Sequence, residues 1–423
     1  MGKRRAHEWG KDPADSGAAM VMADHATTDQ GSEPDLLGEY REGSSFFLTA
    51  PRHSMLASGA GDVLPVESTA ATPAALAGEV DDALGRWGGT QRVTAGGPAV
   101  VVGAVPFSPT SPPHLVLPAQ VRWSGPARSG WRSVPPVSSH GWSVRPDPPA
   151  DRYLAGVSKA LEAFDAGELE KVVLARTLRL TAGEPVAVAR LLAHLAHRDP
   201  TGYTFAVDLP PEGSRTRTLL GTSPELLVRR SGTRVLSNPL AGSAARSPDP
   251  VEDRRRAAAL LASEKDRHEH ALVVDAVAER LRPHCRELEV PSEPSLVTTA
   301  TMWHLSTRVA GVLDDPAPSA LELAAALHPT PAVCGTPTET ARRAIEDIEP
   351  FDRGFYTGTL GWCDANGDGE WVVAIRCAEV AGESIRLYAG GGIVPGSDPH
   401  GELAESSAKF RTLLLAMGLD QEL

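Results

Sequence analysis

"GFYTGTLGWCDANGDGEWVVAIRCAEV", residues 354–380, sets two short apolar runs on either side of a polar, glycine-bearing tract. The tract, "DANGDG" at 364–369, places acidic or amide side chains at alternate positions before a glycine, as the opening of an EF-hand calcium loop does. That loop needs a bidentate acid six positions past Gly369, where Ile375 stands, and it needs helical flanks. Both flanks here read as strands, so the spacing predicts a hairpin turn and an antiparallel pair.

The pattern extends outward from this hairpin. "SIRLYAGGGIVPG" at 384–396 continues the series; upstream, "KVVLARTLRL" at 171–180 alternates like a strand, and "YTFAVDL", "TLLGTSPELLVRR" and "TRVLSNPLAG" read as three more with turns between them. "SSFFLTA" at 44–50 and "AVVVGAVPF" at 99–107 add early strands. Helical spacing marks a segment near 70–87, Tyr153 to Ala166, 186–197, a long helix from Asp253 to Arg282 ended by Pro283, and a last helix from about His400 to Met417. Strands in hairpin order with helices between them predict an α+β fold built on antiparallel sheets and exclude a βαβ Rossmann array. Residues 1–44 are polar and aperiodic, and are expected to form a disordered N-terminal arm outside the fold. Residues 45–423 read as one domain, in which the Pro-, Ser-, Gly- and Trp-dense stretch 124–150 is an irregular connection or a subdomain boundary.

Lys plus Arg number 41 against 54 Asp plus Glu in 423 residues, a net charge of −13. That balance argues against a general nucleic-acid or anionic-membrane surface, so any anionic ligand needs a locally cationic pocket. The longest clean apolar run, Ala99 to Val105, is far short of the roughly 20 residues a spanning helix needs, and no signal segment is evident; a cytoplasmic protein is expected. Cys285, Cys334, Cys363 and Cys377 are widely spaced without a C-x-x-C pair and read as reduced, structural thiols.

Chemistry is suggested first by "SEKDRHEH", 263–270. Asp266 and Glu269 are three apart on a predicted helix, so their carboxylates share one face, and Glu402 and Glu405 repeat the spacing on the last helix. Converging acids repel unless a hard divalent cation lies between them, and all-oxygen ligation suits Mg²⁺. Spacing alone leaves open two solvated faces, with Glu405 and Lys409 an ordinary i,i+4 pair. Lys171 opens an apolar strand, where burial disfavours the ammonium form and frees an amine to act as a base, or else it is an exposed strand end. Glu225, after Pro224, has apolar neighbours that raise a carboxyl pKa and retain a proton for donation, unless it is a turn acid. Arg376 lies in an apolar run and needs a carboxylate partner, from a ligand or from the protein. "GGGIVPGS" at 390–397 can offer main-chain N–H groups to an anion but lacks the Walker lysine.

Taken in order, "KVVLART", "LLGTSPELL", "PLAGS", "SEKDRHEH", "MWHLST", "LHPTPAVCGTP", "AIRCAEV", "GGGIVPGSDP" and "GELAESSAKF" resemble the chorismate-utilising enzymes, most closely isochorismate synthases of the siderophore-pathway type. The resemblance covers about residues 150–419. It implies one α+β body with large facing antiparallel sheets surrounded by helices. It also implies Mg²⁺ held by Glu269 and Glu405 directly and by Asp266 and Glu402 through water, opposite the ring carboxylate of chorismate. Arg376 is implied to grip the enolpyruvyl carboxylate, and Lys409, Gly391 and Gly392 to assist at a carboxylate. Gly242, Ser243 and His304 are implied to line the ring, with Ala332, Val333 and Tyr388 as apolar walls.

The implied reaction adds water at C2 while the C4 hydroxyl leaves, with Lys171 as general base and Glu225 as general acid. A lysine at position 171 distinguishes this pattern from family members that use ammonia. "HPTPAVCG" looks like the isochorismate synthase version of its segment and does not separate that activity from salicylate synthase. Siderophore and menaquinone pathways both remain open as consumers of the product. The resemblance implies a monomer, with transient contact to downstream pathway enzymes.

Overall fold

A computed structural model of the chain describes residues 35–43, 45–59, 61–66, 73–88, 98–126 and 141–419. Its helices are α1 (Pro73–Gly88), α2 (Ala150–Asp165), α3 (Val188–Arg198), α4 (Pro250–Ala262), α5 (Glu264–Leu281), α6 (Ala320–Leu327), α7 (Thr338–Ile348) and α8 (Pro399–Ala416). The expected arm falls outside the described residues over 1–34. Residues 35–43, however, belong to the fold: Leu36, Leu37 and Tyr40 are buried, and the Tyr40 hydroxyl donates to Asp208 at 3.0 Å. A single turn docked by three side chains has no periodicity to read, so the expected boundary was set too late.

Every strand pairing is antiparallel, as the hairpin order predicted. Among the described residues, a ten-stranded sheet is centred on Lys171–Thr181, Ser384–Ile393, Cys377–Ala381, Arg215–Ser223 and Tyr203–Glu212; a nine-stranded sheet contains Leu226–Ser231, Gly369–Val373, Thr359–Asp364 and Val100–Val105. Their inner faces share one core, in which Phe46, Met55, Phe205 and Leu219 of the first meet Val102, Leu226, Leu360 and Val372 of the second. Helices α3 and α8 cover the outer face of the first sheet; α1, α5 and α6 cover that of the second. Cover on both faces, by helices outside and by the second sheet inside, explains why Lys171–Thr181 is buried at nearly every position instead of alternating. A three-stranded sheet, Leu240–Ala245, Met302–Ser306 and Ser295–Thr298, packs beneath α4 and α5. All four cysteines are free thiols.

Two sequence segments divide between the facing sheets. "TLLGTSPELLVRR" leaves the ten-stranded sheet at Ser223 and enters the nine-stranded one at Leu226, and "EWVVAIRCAEV" crosses back between Val373 and Cys377. The crossings touch: Gly221 pairs with Cys377, Leu226 pairs with Val372, and Thr222 N–H donates to the Arg376 carbonyl at 3.1 Å. Glu225 and Arg376 lie in these crossings, so topology alone brings two of the candidate residues to one place.

The predicted helix from Asp253 to Arg282 is two helices. Ser263 has extended backbone (φ −71°, ψ 114°) and its hydroxyl accepts from Asp266 N–H, capping α5 afresh. "SEKDRHEH" is therefore the opening of a helix, with its acids at the N-terminal end where the dipole favours them.

Candidate active site

Glu225, buried at 2% exposure, occupies the first crossing. Burial is the main influence on its carboxyl and pushes it up to about 8, against a hydrogen bond from the Leu240 backbone and the nearby Lys171. At neutral pH its carboxyl keeps a proton.

Arg376 occupies the second crossing with φ 51°, a left-handed conformation uncommon outside glycine. One guanidinium nitrogen lies 3.2 Å from His304 Nε2, and Nη1 is buried without a partner. Burial brings its pKa down to about 10, which leaves it cationic at neutral pH. The protein supplies no carboxylate in salt-bridge range of it among the described residues. Burial first, then Arg376 and Lys409, hold the His304 imidazole well below its ordinary pKa; the neutral ring can accept at Nε2 from the guanidinium. Thr357 (φ 60°) adjoins the same space, and buried Arg353 anchors it by binding Thr357 Oγ1, the Val333 carbonyl and Glu349.

These groups surround a narrow cleft, partly open to solvent, whose lining includes Glu225, Gly242, Ser243, Glu269, His304, Ala332, Val333, Arg376, Gly391, Gly392, Glu405 and Lys409 but not Lys171, Asp266 or Glu402. Tyr388, expected as an apolar wall, does not line it; it stacks beneath Tyr356 (centroids 4.9 Å apart, 11° between planes), and Tyr356 is the wall. Tyr356 and Thr357 were missed: they lie at the start of the quoted stretch, ahead of its first strand, where the only sequence signal is glycines. A larger, mainly apolar cavity of about 420 Å³, lined by Phe46, Val102, Val116 and Val207, contains none of the candidate residues.

Lys171 is fully buried, not an exposed strand end, and it is not in apolar isolation: its Nζ is 2.8 Å from Glu269 Oε1. The two acidic faces do meet. Glu405 Oε1 lies 2.6 Å from Lys409 Nζ and accepts from Ser243 at 2.9 Å; Glu402 Oε1 accepts from Ser397 at 2.7 Å and from Lys265 at 3.2 Å. Asp266 completes the group, its carboxyl raised mainly by burial, with Glu269 and Glu405 adding repulsion. Glycines make the meeting possible. A Cβ at Gly392 would lie 2.3 Å from Glu269 Oε1, and one at Gly391 would lie 3.0 Å from Glu402 Oε2 and 3.9 Å from Glu405 Oε1.

Among the described residues no three acids, histidines or cysteines point at a common centre in metal-ligating geometry, since lysines and hydroxyls hold the oxygens. The donor chemistry nevertheless fits a hard cation. All four groups are carboxylates, Glu402 Oε2 is buried without a partner, and burial followed by repulsion from Glu405 raises Glu402.

A family model described as chorismate binding enzyme matches residues 132–418. The chain is 52% identical over 403 residues to isochorismate synthase DhbC of Bacillus subtilis (strain 168), spanning 94% of this chain and 100% of that protein. It is 41% identical over 383 residues to the vibriobactin-specific isochorismate synthase of Vibrio cholerae serotype O1, spanning 89% and 92%. A crystal structure from Bacillus anthracis, assigned as a 2,3-dihydroxybenzoate-specific isochorismate synthase, superposes with a TM-score of 0.84 at 46% identity, covering 91% of this chain and 99% of that one.

Proposed function

This chain belongs to the chorismate-binding enzyme family, and from that premise we propose an isochorismate synthase whose cleft adds water at C2 of chorismate while the C4 hydroxyl departs. The observation that carries the assignment of roles is a buried carboxyl that keeps its proton and lines the cleft, with a buried amine bonded to Glu269, which also lines it. Glu225 donates to the departing hydroxyl. Lys171 takes a proton from the attacking water, and Glu269, 2.8 Å away, offsets the charge of the ammonium that forms. Arg376, with its unpartnered Nη1, binds the enolpyruvyl carboxylate, while His304 orients the guanidinium. Chorismate is a dianion and the chain carries −13, so these local cations supply the attraction that the whole surface does not.

Asp266, Glu269, Glu402 and Glu405 would hold Mg²⁺, which when bound neutralises the ring carboxylate and fixes the ring's orientation. No helix among the described residues is long and apolar enough to cross a membrane. Siderophore assembly is the consumer of product that agrees with the relatives' names, and the reading includes a monomer that passes isochorismate to downstream enzymes.

Purified protein incubated with chorismate and Mg²⁺ is expected to yield isochorismate in a reversible equilibrium, resolved by chromatography. Salicylate with pyruvate selects a lyase continuation instead, and an aminated product in the presence of ammonia selects the amine-forming branch. Replacing Arg376 by Lys removes the planar fork while keeping charge. The expected result is a rise in KM for chorismate of about 10- to 100-fold, corresponding to one lost charge-assisted hydrogen bond. An unchanged KM removes Arg376 from substrate binding.

A further inference from the structure

Tyr153 is used by none of the steps above. It stands in the first turn of α2, beside the strand Ser384–Ile393 and helix α8, and its hydroxyl is buried without a hydrogen-bond partner among the described residues. Glu402 is in a matching position. Its Oε1 is engaged by Ser397 and Lys265, while Oε2 is buried and unpartnered. Both atoms border one gap, opened by Gly391: a Cβ there would lie 3.0 Å from Glu402 Oε2 and 3.7 Å from the Tyr153 hydroxyl. Burial, reinforced by Glu402 and Glu405, holds the phenol well above its ordinary pKa, so it remains a donor throughout the physiological range. A buried donor and a buried acceptor left unmatched across a side-chain-free gap are unusual in a folded protein.

We propose that Tyr153 is a positioning residue, whose hydroxyl directs Glu402, by a direct hydrogen bond or through one cation-bound water, when a divalent cation enters the carboxylate cluster. Ser397 and Lys265 restrain one oxygen of Glu402, and Tyr153 sets the orientation of the other. Outer-sphere donors of this kind fix ligand geometry and raise metal affinity without touching the metal. The inference rests on the Mg²⁺ reading given above.

The test uses the full chain and its Tyr153→Phe variant, which deletes only the hydroxyl and keeps the ring packing. Calorimetric titration with MgCl₂ alone is expected to show affinity weakened about 10- to 100-fold. The Mg²⁺ concentration for half-maximal rate should rise by a similar factor, more than kcat falls. Thermal unfolding in metal-free buffer should not move downward, because that state makes no hydrogen bond with the phenol and removing a buried, unsatisfied hydroxyl is neutral or stabilising. Equal Mg²⁺ affinity in the two proteins overturns the role of Tyr153 alone. Absence of Mg²⁺ binding to the wild-type chain overturns the metal assignment and this inference with it.

Discussion

Glu225→Gln is expected to lower kcat by about 10²–10⁴-fold at pH 7 while making the protein more resistant to heat. The two effects have one origin. A carboxyl whose pKa is pushed up to about 8 by burial can donate at neutral pH, and glutamine cannot. Below the ordinary carboxyl value of 4.5 the folded and unfolded chains both hold this proton, so the group does not affect stability. As pH rises from there toward about 8, the unfolded chain releases its proton while the folded chain retains it, and stability is progressively lost. At pH 7 that cost is about 3 kcal/mol, from 1.36 kcal/mol per pKa unit. Glutamine does not ionise, so the variant escapes the cost and its unfolding temperature should exceed the wild type's by several degrees at pH 7, with the gap closing near pH 4. In the wild type, kcat should fall tenfold per unit above about pH 8 as the proton is lost. A variant with near-normal kcat, or an unfolding temperature that does not rise, removes Glu225 as the acid.

Much of this site was legible because its chemistry is local in sequence. The acid pairs at i,i+3 on two helices, the lysine opening a strand and the glutamate after a proline each carry their meaning within a few residues. What was not legible depends on depth and on sheet membership. Period-two patterning shows that a segment is extended but not which of two facing sheets it joins, so the crossings at Glu225 and Arg376 were read as continuous strand. Tyr356 and Tyr388 are both buried aromatics, and only their stacking shows which one faces the cleft. The break at Ser263 did leave a signal, since Ser263 with Asp266 three residues later has capping-box spacing. The strong helical periodicity on either side masked it.

Strain is concentrated at the same place. The two non-glycine residues with positive φ among those described, Thr357 and Arg376, both line the cleft. Thr357 is held by Arg353, which is itself buried and paired with Glu349; Arg376 is held by its carbonyl in the ladder at Thr222. The surrounding sheets thus fix two backbone conformations that would be rare in an isolated chain, and the guanidinium is held at His304 with its Nη1 left unpartnered.

Glu269→Gln is expected to fail twice, and the two failures can be separated. The first is catalytic: the variant loses a carboxylate from the proposed cation site and the neighbour that offsets charge on Lys171, so a rate loss of at least about 10²-fold is expected with Mg²⁺ affinity reduced in parallel. The second is structural. Lys171 is fully buried and Glu269 Oε1 lies 2.8 Å from its amine, and weakening the acceptor of such a buried donor typically costs about 1–3 kcal/mol. The double variant Lys171→Met, Glu269→Gln removes both members and replaces the amine with an apolar chain of similar length. Its unfolding temperature should recover most of what the single variant lost, while activity stays absent and Mg²⁺ binding stays weak. If Glu269→Gln retained wild-type Mg²⁺ affinity, Glu269 would be a structural partner of Lys171 only, and the cation would have to be held by Asp266 and the acids on α8. If the double variant regained activity, neither Lys171 nor Glu269 could belong to the proton-transfer chemistry.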